Sequence, residues 1–430
     1  MCQADPKLQR DTRIAIIGGG PSGLSAAYCL KKAGFSRVTV FEKENHVGGK
    51  VRTVRLNGRS YELGAVFHVR GSEPVAGMIR EFGIGTIFGS VIPPPPWYLS
   101  PLFDIRRLRH FQYPRIPQAI VAAVRYALLS RRRPELCRAG HEDMPEDLAV
   151  PISEWLRANR LEALELLFSC WLSGFGYGYA PSMPAAYALK MCSPGVIRPF
   201  FLHNLRGFAA GYQGLWERVA SVLDVRLNTA IQSIERGDGI RIETTAGHFD
   251  FDKMILACDL RGIAPALGNL DKDPDPEEAG LIARIRSHRY HSVIAEAERI
   301  PARLAFLTAH FSEECAGDPA CLYQRWSGEN LFNFYAIAPD RMREAEVHSR
   351  IGETVRRMGG NLVRIVASEN WDYFPSVSAE DLRDGFYRRL EGRQGRRHTY
   401  YAGEIMNFSS VDLAAEYSDG LIRKYFVRSN

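Results

Sequence analysis

The chain has 430 residues, of which 46% are hydrophobic, 11% aromatic and 24% charged. These proportions are typical of a globular protein, so they exclude a disordered, collagen-like or coiled-coil chain, and the length fits two or three folding units. The formal net charge of +6 is small for this length and does not indicate a nucleic-acid-binding protein.

Cysteine spacing and hydropathy indicate the compartment. The eight cysteines include no C-x-x-C pair, which favours buried, reduced thiols, and the 11 histidines show no spacing typical of metal ligands. The first 13 residues are polar, and no run of about 18 apolar residues occurs. We therefore expect a cytoplasmic protein without a metal site.

The chain opens with a predicted strand, turn, helix and second strand. Ile14–Ile17 is a short apolar stretch, and Leu24–Ala33 has helical spacing that ends at Gly34. The turn between them reads Gly-Gly-Gly-Pro-Ser-Gly over residues 18–23, and Val38–Phe41 forms the second strand. This pattern predicts a βαβ unit.

The glycines of the turn are spaced as in dinucleotide-binding proteins. Gly18 permits a tight turn, Gly20 lets the backbone approach a pyrophosphate, and Gly23 lets the helix pack on the strand. The free N–H groups at the helix N-terminus would then face the phosphates. Glu42 follows 19 residues after Gly23, where an acidic side chain accepts hydrogen bonds from a ribose.

A second glycine-rich stretch favours FAD over NAD. Residues 47–53 read Val-Gly-Gly-Lys-Val-Arg-Thr, and Tyr-Glu-Leu-Gly-Ala follows at residues 61–65. Small residues there would let the backbone approach a ribityl chain and an isoalloxazine ring, which NAD does not have. Lys50 or Arg52 would supply positive charge near the phosphates or the flavin, unless these are solvated surface charges.

The middle of the chain, from Val75 to Phe200, is predicted to be a helical insertion. Ile120–Leu129 and Ile152–Trp171 have helical spacing, and Pro93–Pro96 indicate a stretch of polyproline II.

Arginines are concentrated in segment 105–138. Nine of them lie between Trp97 and the end of this segment, against only Asp104 and Glu135. Two interpretations stay open, since the segment fits peripheral contact with an anionic membrane and equally a solvated cationic helix.

The α/β character returns after Gly211. The predicted elements are a helix, four strands that alternate like a β-meander, a late strand and a closing helix. In order they are Leu215–Leu223, Val225–Leu227, Ile231–Ile234, Ile240–Thr244, Lys253–Ala257, Tyr400–Ala402 and Val411–Phe426.

A third motif lies near the end of the chain, at residues 401–404 (Tyr-Ala-Gly-Glu) and 408–411 (Phe-Ser-Ser-Val). A helix N-terminus aimed at the N1–C2=O edge of a flavin stabilises the anionic reduced ring. Glu404 would accept a hydrogen bond from a ribityl or ribose hydroxyl. This motif would bring the end of the chain back to the cofactor.

Together these three motifs resemble the flavin-containing amine oxidase and phytoene desaturase superfamily over nearly the whole chain. The resemblance implies an α/β fold, in which a Rossmann-type FAD-binding domain carries an α+β substrate domain and a helical cap. We expect a discontinuous FAD domain and a substrate domain with the helical insertion. Their boundaries are 1–75, 205–290 and 390–430 for the first, and 76–204 and 291–389 for the second.

A closer resemblance is to the bacterial polyenoic fatty acid (linoleate) isomerases. The blocks that carry it are the opening Arg13–Gly18, Phe175–Gly178, Pro184–Lys190, Tyr373–Pro375, Gln394–Arg397 and Tyr401–Met406.

That resemblance implies redox-neutral chemistry on an unsaturated acyl chain. Flavin N5 would take a hydride from an allylic or bis-allylic carbon, and the hydride would return at the far end of the allylic cation, so that the double bond moves into conjugation. The protein would hold the chain in a dry tunnel and supply no nucleophile. The alternatives are a net oxidase or desaturase and a non-catalytic flavin- or lipid-binding protein.

The resemblance also implies the site residues. The FAD, held non-covalently, would contact Gly18, Gly20, Pro21, Ser22, Gly23, Glu42, Lys43, Gly49, Lys50, Gly64, Ala65, Val66, Phe67, Ile231, Ala257, Trp371, Gly403, Glu404, Ser410 and Val411. The candidates for the reacting centre are Phe200, Tyr373, Trp371 and Phe67. Further tunnel candidates are Phe175, Tyr177, Tyr187, Phe208 and Phe374, and His68 is expected near the flavin.

One departure from the isomerase pattern concerns the substrate head group. The isomerases have an arginine that grips the fatty-acid carboxylate, and the matching stretch here, Pro93–Leu99, contains none. Arg106, Arg107 or Arg109 could replace it. A free acid, a thioester or another polyene therefore all stay open as substrates, and the oligomeric state is not indicated.

Overall fold

The computed structural model describes residues 8–68, 73–88, 102–110, 116–142, 144–201, 206–268 and 275–427, excluding the side chains of residues 88, 110, 198–201 and 268. The strands within these ranges are β1 Ile14–Ile17, β2 Val38–Phe41, β3 Thr53–Leu56, β4 Arg59–Glu62, β5 Thr86–Phe88, β6 Leu102–Asp104, β7 Arg109–His110, β8 Arg206–Phe208, β9 Asp224–Arg226, β10 Ile231–Arg236, β11 Ile240–Thr244, β12 Gly247–Phe251, β13 Lys253–Leu256, β14 Arg286–Glu298, β15 Leu304–Leu307, β16 Pro319–Tyr323, β17 Leu331–Ala338, β18 Asn361–Ser376 and β19 Thr399–Tyr401. The helices are α1 Pro21–Lys32, α2 Glu73–Glu81, α3 Ile116–Ser130, α4 Ile152–Ala158, α5 Glu165–Gly174, α6 Ala185–Met191, α7 Pro194–Phe201, α8 Gln213–Ala220, α9 Leu260–Gly268, α10 Pro276–Arg284, α11 Glu344–Arg357, α12 Ala379–Arg383, α13 Phe386–Glu391 and α14 Val411–Tyr425.

A parallel sheet carries the N-terminal motif. Its strand order is β19-β13-β1-β2-β9, and all of its pairings are parallel. Every residue of β1 is buried, as expected for a central strand covered on both faces. Helices α1 and α14 lie side by side, joined by a 2.9 Å hydrogen bond from Ser418 Oγ to the Ser22 carbonyl. The prediction of an α/β, Rossmann-type domain is confirmed.

The prediction of a four-stranded meander was wrong about which strands belong to it. Strands β10, β11 and β12 form a separate antiparallel sheet, whereas β9 and β13, assigned by sequence to the same meander, join the parallel sheet. The reason lies in burial, because β13 is buried at all four positions while the meander strands alternate. Strand β12 was missed.

The second large sheet is mixed, with the order β18-β14-β17-β16-β15-β6-β7. Its longest strands, β14 and β18, pair antiparallel, and β18 lies at one edge of the sheet. Helix α11 covers one face with Val347, Ile351 and Val355, which are fully buried at helical spacing. This sheet is the α+β part of the predicted fold, and the domain boundaries given above stay a prediction.

The central segment is helical, as predicted, but its second helix is broken. The stretch predicted as one helix forms α4, a short 3-10 turn and α5, because Arg160 adopts a left-handed conformation with φ of 55° that ends the first helix. The predicted polyproline stretch Pro93–Pro96 lies outside the described residues. In the part of the chain that is described, no helix is long and apolar enough to span a membrane.

A buried ion pair links the meander to the parallel sheet. The Arg236 guanidinium donates to both carboxylate oxygens of Glu278, at 2.9 and 2.7 Å, and the two side chains are almost fully buried. The Tyr401 hydroxyl donates to the same carboxylate. Burial raises the pKa of Tyr401, so that the phenol stays a donor. One interaction thus ties β10, α10 and β19 together.

We expect Glu278→Gln to lower the free energy of unfolding by about 3–5 kcal/mol, because Arg236 would stay buried without its counter-charge. Urea denaturation measures this change. The matched control is Asp250→Asn in the exposed Arg241–Asp250 pair of the same meander, which joins side chains at 3.0 Å. Equal effects of the two substitutions would contradict the assignment of this pair as a structural tie.

Lys190 is a buried cation of α6. Its Nζ donates to the carbonyls of Arg138 at 2.5 Å and Glu135 at 3.4 Å, and burial lowers its pKa from 10.5 to about 8. The charged form is therefore disfavoured in the folded chain relative to the unfolded chain.

This lowered pKa predicts a pH dependence of stability. Between about pH 8 and 10.5 the unfolded chain holds the Lys190 proton and the folded chain has released it, so this lysine contributes stability that rises with pH, by at most about 1.4 kcal/mol per unit. Below pH 8 both states are charged and the penalty is constant. We expect the stability difference between wild type and Lys190→Met to vary with pH in that window. A constant difference would contradict the lowered pKa.

Candidate active site

The glycine-rich turn between β1 and α1 lies against β13. Gly18 has a φ of 111°, and a Cβ placed on it would lie 2.7 Å from the carbonyl oxygen of Ala257. Gly23 passes so close to Gly18 that a Cβ there would collide with the Gly18 carbonyl oxygen. Helix α1 then begins at Pro21 without a capping side chain or an acidic residue in its first turn. Its N–H groups are therefore available to an anion.

Glu42 lies at the end of β2 and is buried, with 8% of its surface exposed. One carboxylate oxygen accepts the N–H of Gly19 at 2.7 Å, and the other accepts the N–H of Glu44 at 2.9 Å. An ionised carboxylate has about four lone-pair positions, so two remain for the hydroxyls of a ribose. The Thr229 N–H donates to the Glu42 carbonyl at 2.8 Å, which brings Ile231 near the same edge.

The second motif lies directly against the first. The Gly48 N–H donates to the Gly19 carbonyl at 2.9 Å, and a Cβ on Gly49 would lie 3.2 Å from Gly20 Cα. Further along, the Ala65 N–H donates to the Lys50 carbonyl at 3.0 Å. The two glycine-rich stretches therefore form one continuous backbone surface.

The third motif closes the arrangement. A Cβ on Gly403 would lie 2.7 Å from the carbonyl oxygen of Cys258, next to the glycine turn, and the Lys50 ammonium forms an ion pair with Glu404. Helix α14 begins after Ser410 with no side-chain cap, and the buried Ser409 Oγ has no hydrogen-bond partner among the described residues.

These features fit FAD. The uncapped N-terminus of α1 and the Gly20–Gly49 approach suit a pyrophosphate, and Glu42 suits a ribose. The N-terminus of α14 and the unpartnered Ser409 hydroxyl lie where polar groups of a flavin would be accepted, and Lys50 provides positive charge.

An aromatic cluster adjoins the third motif. Tyr177 stacks on Phe408 with ring centroids 4.7 Å apart, and its hydroxyl donates to the Ser409 carbonyl at 3.1 Å. Tyr373 and Phe374 pack on the same tyrosine at 5.6 and 5.4 Å. The Lys50 ammonium lies 5.4 Å from the centroid of the Tyr373 ring, so this cluster reaches the second motif as well.

A β-bulge places two consecutive aromatic rings in this cluster. Between the pairs Arg286–Ser376 and His288–Tyr373, β18 has one residue more than β14. Phe374 lies in this bulge with a φ of 54°, which is a strained conformation for a bulky residue. Successive residues of a regular strand point to opposite faces, so the bulge is what lets Tyr373 and Phe374 both contact Tyr177.

A second group of aromatic rings includes Phe67. Phe175 contacts Phe67 edge-on at 5.9 Å and stacks on Trp171 at 5.2 Å. The Trp371 indole N–H donates to the Leu63 carbonyl at 2.7 Å, directly before Gly64. These aromatic residues thus border the second motif.

The aromatic cluster is uncharged near neutral pH. Burial raises the pKa of Tyr177, Tyr290 and Tyr373, so their hydroxyls stay protonated. Burial lowers the pKa of His288, whose Nε2 lies 2.6 Å from the Gly176 carbonyl. The neutral imidazole donates through that nitrogen, because a carbonyl can only accept.

Several other predicted residues make contacts outside the two aromatic groups. Phe208 stacks on Tyr212 at 4.2 Å in the core beneath α8, and the Tyr187 hydroxyl bonds that of Tyr387 at 2.8 Å. Arg106 and Arg107 are exposed in the turn between β6 and β7, where they contact the Ala309 carbonyl and Asp104.

The side chain of Phe200 lies outside the described residues. Lys43 is exposed beside Glu44, and Val66 packs against the core.

Several contacts of this site were not predicted from the sequence. Tyr290 stacks on Tyr373 at 4.9 Å, and its alternation with His288 along β14 is the signal that would have found both. His68, expected near the flavin, contacts Asp412 of the first turn of α14 at 2.6 Å, and both are buried. Asp412 had no signal, because an acidic residue in a first helical turn is common.

Comparison with known proteins agrees with this geometry. The family model described as flavin containing amine oxidoreductase matches residues 21–336. Among solved structures, the CLA-producing fatty acid isomerase from P. acnes superposes with a TM-score of 0.89 at 29% identity, covering 98% of this chain and 100% of that one.

Two proteins related in sequence are also similar to this chain. An FAD-dependent oxidoreductase, dpchF, of Colletotrichum higginsianum is 23% identical over 94% of this chain and 90% of its own length. The polyenoic fatty acid isomerase of Ptilota filicina is 22% identical over 53% of this chain and 51% of its own length. The predicted resemblance and the FAD cofactor are thereby confirmed. The protein is an FAD-dependent enzyme, and the chain belongs to the flavin-containing amine oxidoreductase family.

Proposed function

We propose that this enzyme is an FAD-dependent double-bond isomerase of polyunsaturated fatty acids or related acyl chains. A hydride leaves an allylic or bis-allylic carbon and returns at the far end of the allylic cation, so substrate and product have the same composition. Bound FAD supplies the hydride acceptor and donor at its N5. The observation that carries the proposal is the likeness, over 98% of the chain, to a fatty acid isomerase.

The side chains beside the third motif suit this chemistry. Tyr177, Tyr373 and Phe374 form an aromatic surface without a charged side chain among them, which suits contact with an apolar chain. The electron-rich faces of these rings also favour a nearby cation. No proton transfer by a side chain is required, and the tyrosines, whose pKa values burial raises, are poor bases.

The cofactor and reaction-centre residues predicted from sequence remain part of this proposal. Phe67 and Trp371 border the second motif, and Tyr373 lies within the aromatic cluster. We propose that these rings orient the acyl chain, together with Phe200.

The head group is the least constrained part of the substrate. Arg106 and Arg107 remain the candidates for a carboxylate, and both are exposed. A carboxylate bound there would stay at the protein surface, where it keeps much of its hydration, while the apolar chain enters the protein.

A second candidate function is net oxidation of a related substrate. Its support is the likeness over 94% of this chain to a protein described as an FAD-dependent oxidoreductase. Both candidates begin with removal of a hydride, so they differ only in whether the hydride returns to the substrate or its electrons pass to an acceptor.

We expect Glu42→Ala to weaken FAD binding roughly ten- to hundredfold, because a charge-assisted hydrogen bond contributes about 1.5–3 kcal/mol. The dissociation constant is measured by flavin fluorescence during titration of the apoprotein. The control is Glu44→Ala, an exposed carboxylate two residues away. Equal affinities of the two variants for FAD would remove Glu42 from the cofactor site.

We expect purified holoenzyme, mixed with linoleic acid under air, to raise conjugated-diene absorbance without consuming oxygen. Redox-neutral isomerisation requires this result, and stearic acid serves as the control without double bonds. Oxygen uptake with peroxide formation would assign the second candidate function instead. Comparing linoleic acid with its methyl ester shows whether the enzyme requires a charged head group.

A further inference from the structure

Helix α3 is anchored to the protein by one face. Ala122, Tyr126 and Ser130 are buried at a spacing of four residues. The Tyr126 hydroxyl donates to the Cys192 carbonyl at 2.9 Å, and its ring lies edge-on to Phe168 with centroids 5.3 Å apart. The contacts of this face attach the helix to the rest of the protein. The residues of the opposite face take no part in these contacts.

The opposite face is apolar and exposed. Within the described residues, the large hydrophobic side chains with more than half of their surface exposed lie on this helix, except Leu108. At 3.6 residues per turn, the exposed alanines, valines, isoleucines, proline and leucine of α3 fill an arc of roughly 160°. The members of this apolar arc with large side chains are Ile116 (50%), Ile120 (59%), Val121 (68%), Val124 (57%) and Leu128 (55%).

The segment of the sequence that contains the apolar arc is cationic. Residues 105–133 contain eight arginines and no acidic residue. Arg125 lies at one margin of the arc, and Arg131 and Arg132 follow the end of the helix, all three exposed. Apolar side chains bordered by arginines are the composition of a helix that lies in the interface of an anionic membrane.

The preceding described element in the sequence repeats this composition. In the turn between β6 and β7, Leu108 is 60% exposed and has a φ of 50°, and the exposed Arg106, Arg107 and Arg109 flank it. An apolar side chain at the tip of a cationic turn is again suited to insertion among anionic headgroups.

We propose that the apolar arc of α3 is a docking surface for an anionic lipid bilayer. The helix lies parallel to the membrane plane with its isoleucine and valine side chains among the acyl chains, and Arg125, Arg131 and Arg132 contact lipid phosphates. This inference goes beyond the isomerase proposal and does not depend on it, because the surface is defined without reference to the reaction.

Charge distinguishes this occupant from a second copy of the chain. A two-fold symmetric dimer would place the same patch against itself and bring the arginines of both copies together. An anionic bilayer instead complements the arginines and covers the apolar arc at the same time. A dimer is therefore an outcome of the test rather than the proposal.

The test is binding of the FAD-loaded enzyme to vesicles, measured by flotation. We expect binding to vesicles of phosphatidylcholine with phosphatidylglycerol, at least about tenfold weaker binding to phosphatidylcholine alone, and a decrease at about 0.5 M salt. The double variant Val121→Glu, Val124→Glu should weaken vesicle binding by about tenfold or more. The control Val363→Glu alters a similarly exposed valine on β18 and should bind as wild type does.

A second variant, Arg125→Glu with Arg131→Glu, leaves the apolar arc intact. It should weaken binding to the anionic vesicles and leave binding to phosphatidylcholine vesicles unchanged. Flavin absorbance and circular dichroism identify any variant that fails to fold. The proposal is overturned if wild type does not float with anionic vesicles, or if the Val121/Val124 variant binds them as wild type does. A dimer that the same double variant converts to a monomer, without vesicle binding, would assign the arc to self-association.

Discussion

The candidate site depends on places where one backbone passes another at a distance that leaves no room for a side chain. Gly18 lies against the end of β13, Gly49 against Gly20, and Gly403 against Cys258, so a Cβ at any of them would crowd a backbone atom. The first two motifs are close in sequence and the third lies more than 300 residues later, yet the three form one continuous backbone surface. A cofactor with a pyrophosphate and an extended ring system needs such a surface, because its phosphates bind N–H groups rather than side chains.

The aromatic cluster also depends on the close approach of the chain after β19. The loop after β19 brings Phe408 and the Ser409 carbonyl to Tyr177, and the bulge in β18 brings Tyr373 and Phe374 to the same ring. The left-handed backbone of Phe374 costs free energy, and the packing of its ring on Tyr177 offsets this cost. Strain beside a cofactor site is thus explained by the position that it gives to two consecutive rings.

The sequence predicted those parts of the site that are determined by short-range backbone chemistry. The glycine turn, Glu42 and the start of α14 could be identified because each requires particular residue types at fixed spacing. Tyr290 and Asp412 were missed because their positions depend on strand register and on the packing of α14 against α1 and His68. The error in the meander has a similar origin, since short apolar strands do not indicate which sheet they will join.

The fold also explains why isomerase and oxidoreductase relatives can share one architecture. The chain contributes a backbone surface for FAD and an uncharged aromatic wall, and neither feature depends on the later fate of the hydride. In the isomerisation that we propose, the substrate would have to stay in contact with bound FAD until the hydride has returned. The rings of Tyr177, Tyr373 and Phe374 favour this contact because they are packed on one another and on Phe408, which limits their movement. Tight packing at the aromatic wall, rather than an added catalytic side chain, would therefore hold the substrate in place in either of the two proposed reactions.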